Sequence, residues 1–375
     1  MKVVIVAGGT GGHIFPAISL AEEFKKRDNK AEILFIGIGR KLEEKTYKKG
    51  GHGYYEKLFI VRMPSFQPKD ILILPFILKY VIFFIKFTAG FLKAIILLFR
   101  FKPNVVVGFG GYVCVPVMLA GLFLRVPMVL HEQNVLPGQA NRFLAPFVDK
   151  VAISFEKTGK ALNAKSIVFT GNPIRNDILK GDRPSARKRL GIEEDRFTIL
   201  VMGGSQGSNT INRVMIEAII LMSPEERTGL HVLHLSGKNG YEWIKREYAI
   251  LGISHTLFPF LDDMGDAYKA SNLVIARAGA TTIAEITASG LPGILVPYPH
   301  ARMHQVANAS LFEEFGAGIM IEEKRLSGGI LKSHILELKN DTHHLKRMSR
   351  NSRGLANHNG DKRLADEVIK VAKKV

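Results

Sequence analysis

Three short glycine-rich runs hold most of the chemistry that this 375-residue sequence can offer. Gly8-Gly9-Thr10-Gly11-Gly12-His13 follows the apolar run Val3–Ala7, and Gly108-Phe109-Gly110-Gly111-Tyr112 follows Val105–Val107. Gly203-Gly204-Ser205-Gln206-Gly207-Ser208 follows Ile199–Met202. A strand that ends in glycines and opens a helix aims backbone N–H groups outward at the positive end of the helix dipole, where a phosphate binds without cationic side chains. The first run departs from G-x-G-x-x-G because Ile14 stands at the third position, and Gly203–Ser208 lacks the glycine-lysine pair of a P-loop. Nicotinamide and ATP sites are therefore disfavoured. His13 adds an imidazole, whose ordinary pKa near 6.5 suits proton transfer around neutrality. The adjacent Asp262-Asp263 lacks D-x-D spacing, and no His/Asp/Glu cluster suggests a metal cage.

These turns need elements to position them. Charge-free runs recur at Ile33–Ile36, Met128–Leu130, Val151–Ile153, Val232–Leu235, Leu273–Ala276 and Gly293–Val296, alternating with helix-like stretches. That pattern predicts parallel strands covered on both faces. The two halves open alike, with a strand and then a glycine turn. The expected fold is α/β, with two Rossmann-like domains facing a central cleft: an N-terminal domain over 1–172 and a C-terminal domain over 173–359. The break is set at Gly171-Asn172-Pro173, and a final amphipathic helix (360–375) is expected to pack back on the first domain. Three glycine loops at strand ends would then line a ligand crevice.

The single cysteine, Cys114, excludes an internal disulfide framework and suits a reducing compartment. The first strand-like run is too short and wrongly flanked for a secretory signal, so a cytoplasmic location is expected. A formal charge of +18 favours anionic partners, but no zinc finger, RNP-type motif or basic arm supports nucleic acid. From Ile71 to Phe101 the chain is almost wholly apolar, with Lys79, Lys86, Lys93 and Arg100 spaced seven apart. Seven residues are nearly two helical turns, so the four cations form one narrow stripe. The longest charge-free run is far short of the roughly 20 residues that span a bilayer. Two readings stand: a core helix whose lysines reach solvent, or a helix lying in a membrane interface with its cations near lipid phosphates.

Several stretches then combine. GGTGGHIFPA (8–17), GFGGYVCVP (108–116), HEQNVLPGQAN (131–141), TGNPIR (170–175), GGSQGS (203–208), FLDDM (260–264), ARAGATTIAEITASGLPGILVPYP (276–299) and HQVANA (304–309) run in this order through most of the chain. The sequence resembles the MurG family, bacterial enzymes that add N-acetylglucosamine to the undecaprenyl-linked muramyl-pentapeptide precursor of peptidoglycan. The resemblance implies the two-domain GT-B fold and inverting transfer from UDP-GlcNAc, with no cofactor and no essential metal. It also implies an undecaprenyl-linked acceptor, a peripheral position on the cytoplasmic face of the plasma membrane with its anionic surface, and cell-wall synthesis proteins as partners.

Carried over by residue, the resemblance places Thr10, Gly11 and Gly12 near the donor sugar and the acceptor pyrophosphate. Asn134 would contact the transferring sugar, while Arg175 and Ser205 would hold the donor diphosphate. Leu261 would lie beside uracil, and Ala280, Thr281, Thr282, Ile283 and Ala284 would bind nucleotide at a helix start. Glu285 would take the ribose hydroxyls and Gln305 the sugar hydroxyls. His13 is the preferred general base; the alternative is that it binds acceptor phosphate or caps its turn. Lys79, Lys86, Lys93 and Arg100 would contact the membrane. His131 and His304 are read as positioning or structural residues.

Three features depart from the family pattern. Cys114 stands where serine is usual, Arg302-Met303 replaces a common acidic pair, and the 71–101 segment is unusually long and apolar. Competing readings are a glycolipid transferase with a diacylglycerol acceptor, a UDP-sugar epimerase, and a non-catalytic UDP-sugar- or lipid-binding regulator.

Overall fold

The computed structural model of the chain describes residues 1–9, 11–39, 57–60, 76–204, 207–301 and 303–373. They form two compact units: Met1–Pro173 with Asn359–Val375, and Ile174–His358.

The first unit is a seven-stranded sheet in the order β3-β2-β1-β4-β5-β6-β7, and every pairing is parallel. The strands are β1 (Lys2–Val6), β2 (Glu32–Gly37), β3 (Lys57–Ile60), β4 (Val105–Gly108), β5 (Met128–Glu132), β6 (Lys150–Ile153) and β7 (Ile167–Phe169). Side chains alternate between the faces of a strand, and in β1 both sets are buried. Val3 and Ile5 join a core with Ile14, Leu20 and Phe24 of the helix Gly11–Arg27, whereas Val4 and Val6 join one with Val117 and Met118 of the helix Cys114–Phe123. Burial on both faces is why these strands read as continuous apolar runs rather than alternating ones.

The helix Gly360–Ala372 belongs to this unit, and its Leu364, Ala365, Val368 and Val371 complete the core that holds Val3 and Ile5. Its first residue comes so close to the backbone of Asn172 that a Cβ there would sit 2.6 Å from the carbonyl oxygen. Glycine is therefore needed at position 360. Lys150 and Glu367 pair across the helix–sheet contact.

The second unit repeats the plan with six parallel strands in the order β10-β9-β8-β11-β12-β13. They are β8 (Phe197–Met202), β9 (Leu230–Leu235), β10 (His255–Phe258), β11 (Leu273–Ala276), β12 (Gly293–Leu295) and β13 (Gly318–Met320). In each sheet the strand order reverses beside the first strand, between β1 and β4 and between β8 and β11. Parallel α/β sheets bind ligands beyond the strand ends at such a reversal.

The helix Phe76–Phe101 is not a core helix. Over residues 81–101 only Gly90, Ala94 and Leu98, four apart on one face, are buried, and they lie on the side that meets the helix Cys114–Phe123. Val81–Phe101 is long and apolar enough to cross a membrane by length and composition alone, with a mean hydropathy of 2.2. Counting charge-free residues did not anticipate this, because the lysines interrupt the run without lowering its mean much.

Candidate active site

In the first unit β1 runs into Gly8 and Gly9, Gly9 at φ +97°, and the helix starts at Gly11. Thr10 lies outside the described residues; Gly11 and Gly12 form the opening turn, with His13 half-buried directly after them. β4 lies beside β1, with Val6 opposite Gly108, so the second glycine turn is brought against the first. Gly110 and Gly111 have φ of +91° and +78°, conformations that favour glycine. A Cβ on Gly110 would come 3.4 Å from His13 Cε1, and one on Gly111 would come 3.3 Å from the Gly8 carbonyl oxygen. The second glycine run thus makes room for the imidazole.

β5 supplies the other side. His13 Nδ1 lies 2.9 Å from Gln133 Oε1. The Gln133 amide nitrogen is 3.0 Å from both His131 Nδ1 and the His131 carbonyl oxygen, and His131 Nε2 is 3.1 Å from the Gly171 carbonyl oxygen. Burial pushes the His131 imidazole down to about 4, only partly offset by its bond to Gly171, so it is neutral at physiological pH. The neighbouring Glu132 carboxylate is buried and accepts from the backbone and side-chain N–H of Asn134, the Gly138 N–H and the Asn141 amide. Asn134 is thereby held on a fixed loop. Cys114 at the next helix start is buried, its thiol pushed up to about 12, and it donates to the Gly110 carbonyl at 3.0 Å.

In the second unit Gly203 cannot carry a side chain, since a Cβ would lie 2.1 Å from Ser208 N. Ser208 caps the helix Asn209–Ile220 by accepting from Ile211 N–H. Ser205 and Gln206 lie outside the described residues. Arg277, at the end of β11, is buried and donates to Ser208 Oγ at 2.8 Å and to the Val296 carbonyl. It also pairs with Glu323 at 2.5 Å, so the glycine turn is tied to the ends of two neighbouring strands.

The helix Ala280–Ser289 begins just beyond, with Gly279 extended at its N-cap. Ala280, Thr281, Ile283 and Glu285 are buried, while Thr282 and Ala284 are half-buried. Glu285 accepts from Arg175 Nε at 3.0 Å and from the Tyr268 hydroxyl at 3.0 Å. Burial alone would lower the Arg175 guanidinium, but the Glu285 and Asp177 charges push it above its ordinary value. Burial, reinforced by Glu285, drives the Tyr268 hydroxyl well upward. The structure therefore joins Arg175 and Glu285, which the sequence reading had assigned to separate parts of a nucleotide. Gln305 accepts from Tyr298 N–H at 2.9 Å, and Leu261 is half-buried in the loop after β10. Met303, one of the two departures near Gln305, adopts φ +66° at the start of the helix His304–Glu314; Arg302 lies outside the described residues.

Of the cation stripe, Lys86, Lys93 and Arg100 are exposed; the Lys79 side chain is outside the described residues. Beside them Phe84, Leu92 and Phe99 are exposed, and Phe91 meets the largely exposed Phe123 edge-on at 6.5 Å.

Sequence reasoning missed Gln133, Glu132, Tyr268, Arg277 and Ser208. Glu132 was findable as a charge inside an apolar strand, and Arg277 as a lone cation directly after one. Tyr268 carried no local signal.

Two all-parallel α/β units, each with a glycine turn at its point of strand reversal, are the domains of the GT-B fold, the class of fold that glycosyltransferases of this kind share. Residues 3–153 match the glycosyltransferase family 28 N-terminal domain and residues 198–368 its C-terminal domain. The UDP-N-acetylglucosamine--N-acetylmuramyl-(pentapeptide) pyrophosphoryl-undecaprenol N-acetylglucosamine transferase of Halothermothrix orenii is 40% identical over 94% of both chains. The protein of the same name in Geobacter sulfurreducens is 36% identical over 100% of both. The crystal structure of Acinetobacter baumannii MurG superposes with a TM-score of 0.76 at 25% identity, covering 98% of this chain and 99% of the other. The chain belongs to glycosyltransferase family 28, in the group of these N-acetylglucosamine transferases.

Proposed function

We propose that the chain transfers N-acetylglucosamine from UDP-N-acetylglucosamine to the muramyl C4 hydroxyl of undecaprenyl-pyrophosphoryl-N-acetylmuramyl-pentapeptide, with inversion and without a metal. The carrying observation is the 40% identity to a relative of that name over 94% of both chains. His13 is the base: it removes the acceptor proton as the sugar–phosphate bond breaks. Asn134 orients the transferring sugar, and Gly11 and Gly12, with Thr10, supply the backbone turn for phosphate. In the second unit Arg175, Ser205 and the opening turn of Ala280–Ser289 receive the charge that develops on UDP. Glu285 and Gln305 take ribose and sugar hydroxyls, with Leu261 beside the base.

The same reading places the protein peripherally on the cytoplasmic face of the plasma membrane. The exposed Phe84, Phe99 and Phe123 would enter the lipid interface, with Lys86, Lys93 and Arg100 near anionic headgroups. The packed face at Gly90, Ala94 and Leu98 supports lying on the membrane over crossing it.

A transfer assay in detergent tests the function. UDP-GlcNAc, UDP-GalNAc and UDP-glucose are each offered with the muramyl-pyrophosphoryl lipid and, separately, with diacylglycerol. Product only from UDP-GlcNAc and the muramyl lipid is expected; product on diacylglycerol would assign a glycolipid transferase, and tight UDP binding without product a regulator.

A further inference from the structure

The polar chain behind His13 has a direction. At its far end the Gly171 carbonyl, which can only accept, faces His131 Nε2 at 3.1 Å. The His131 ring is buried and neutral, so it carries one proton, and that proton must sit on Nε2. Nδ1 is then an acceptor. It faces the Gln133 amide nitrogen at 3.0 Å, and that nitrogen also meets the His131 carbonyl at 3.0 Å. Two acceptors thus fix the orientation of the amide, and its oxygen is turned to His13 Nδ1 at 2.9 Å. An amide oxygen accepts only, so His13 must hold its proton on Nδ1 and present Nε2 as the basic nitrogen.

We propose that His131 and Gln133 are positioning residues that fix the His13 imidazole in its Nδ1–H tautomer and so deliver Nε2 as the proton acceptor in glycosyl transfer. The inference rests on His13 being the base of the reaction proposed above. In the step itself the acceptor O–H bond breaks and its proton goes to Nε2. The acceptor oxygen forms the new bond to the anomeric carbon, and the old carbon–oxygen bond to phosphate breaks with its electron pair leaving on UDP. The imidazolium formed keeps its Nδ1–H bond to the Gln133 oxygen. An uncharged orienter differs from the carboxylate that often backs a catalytic histidine. It sets the tautomer without placing a negative charge beside the imidazole. Among the described residues, the elements around this chain carry His131 and Glu132 on β5, Cys114 at the following helix start, Tyr112 on the second glycine turn and Arg142 on the helix Gln139–Leu144, while the helix of His13 carries Glu22, Glu23, Lys25, Lys26 and Arg27 toward its far end. The Glu132 carboxylate is turned toward Asn134, Gly138 and Asn141 rather than into the relay.

The experiment reads the tautomer directly, by NMR of the full-length protein labelled with nitrogen-15 in its histidine rings, with His13→Gln and His131→Gln spectra for assignment. At neutral pH the proton is expected on Nδ1 of His13 and on Nε2 of His131. In Gln133→Leu the His13 proton should redistribute toward Nε2, and kcat should fall by about tenfold or more while KM for UDP-GlcNAc stays within about twofold. The near-isosteric Gln133→Glu places a carboxylate against Nδ1–H, raising the His13 pKa and moving the acid limb of the kcat profile to higher pH. A wild-type spectrum with His13 protonated on Nε2 overturns the proposal. So does a Gln133→Glu profile that superimposes on the wild type. If the wild-type protein transfers no sugar to the muramyl lipid, the functional reading fails, whereas the spectrum still decides the tautomer.

Discussion

Arg175 and Glu285, 110 residues apart in sequence, meet through one bond of 3.0 Å from Nε to Oε1, and the arginine's Nη1 goes on to the Asp262 carbonyl. Removing one member of a buried ion pair strands the other charge, at about 3–5 kcal/mol, whereas losing a hydroxyl donor costs about 1 kcal/mol. Glu285→Ala should therefore lower the urea midpoint of the second unit much more than Tyr268→Phe. The single tryptophan, Trp243, lies in the helix Tyr241–Leu251 and packs on that unit's core, so its fluorescence reports the transition. Equal shifts would show that the pair is held no more tightly than one neutral hydrogen bond.

The same fluorescence tests a pH dependence. Burial pushes His234 down to about 3 and His231 to about 4. Unfolding returns both to about 6.5, so between these values the unfolded chain binds more protons than the folded one. The contribution of these neutral rings is complete above about pH 6.5 and is lost as the pH falls through that window. His234→Gln should flatten the decline in urea midpoint below pH 6.5; an unchanged slope would remove His234 from the account.

Gly110→Ala combines two costs. Its φ of +91° strains any side chain, and the new Cβ would crowd Asn141 Nδ2 at 3.2 Å and His13 Cε1 at 3.4 Å. Gly191, at φ +68° with open space around it, supplies the comparison. Each alanine should lower Tm through about 1–2 kcal/mol of backbone strain, but only Gly110→Ala should depress kcat, by displacing the imidazole. Full activity in Gly110→Ala would uncouple that turn from the chemistry.

For the membrane surface, cosedimentation with vesicles separates charge from apolar contact. Lys86→Glu, Lys93→Glu and Arg100→Glu together remove about 3 kcal/mol of attraction, roughly a hundredfold in partitioning, on anionic vesicles only. Phe84→Ser with Phe99→Ser should weaken binding to neutral and anionic vesicles alike. Undiminished binding by both variants would assign this surface to another occupant.

The parallel sheets and the glycine turns were legible because they are local. A strand buried on both faces writes an unbroken apolar run, and a left-handed backbone writes glycine. The second pair of glycines, Gly110 and Gly111, could be placed at a strand end from sequence, but their contact with His13 depends on β4 lying beside β1. Gln133 and Tyr268 act across strand and helix packing, so nothing within a few residues of either marks its partner. The apolar helix was readable as unusual, yet which of its faces is buried follows only from its packing against Cys114–Phe123.

The first unit is discontinuous in sequence, since Leu364, Val368 and Val371 complete a core begun by Val3 and Ile5. On the ribosome the usual order of domain maturation is therefore reversed. At about 5–20 residues per second, the first sheet must wait ~10–40 s after its last strand emerges for the helix that closes its core, while the second unit is already whole. A nascent chain thus spends that interval with one apolar flank of its first sheet uncovered. Chaperone dependence would be set there rather than in the domain made last.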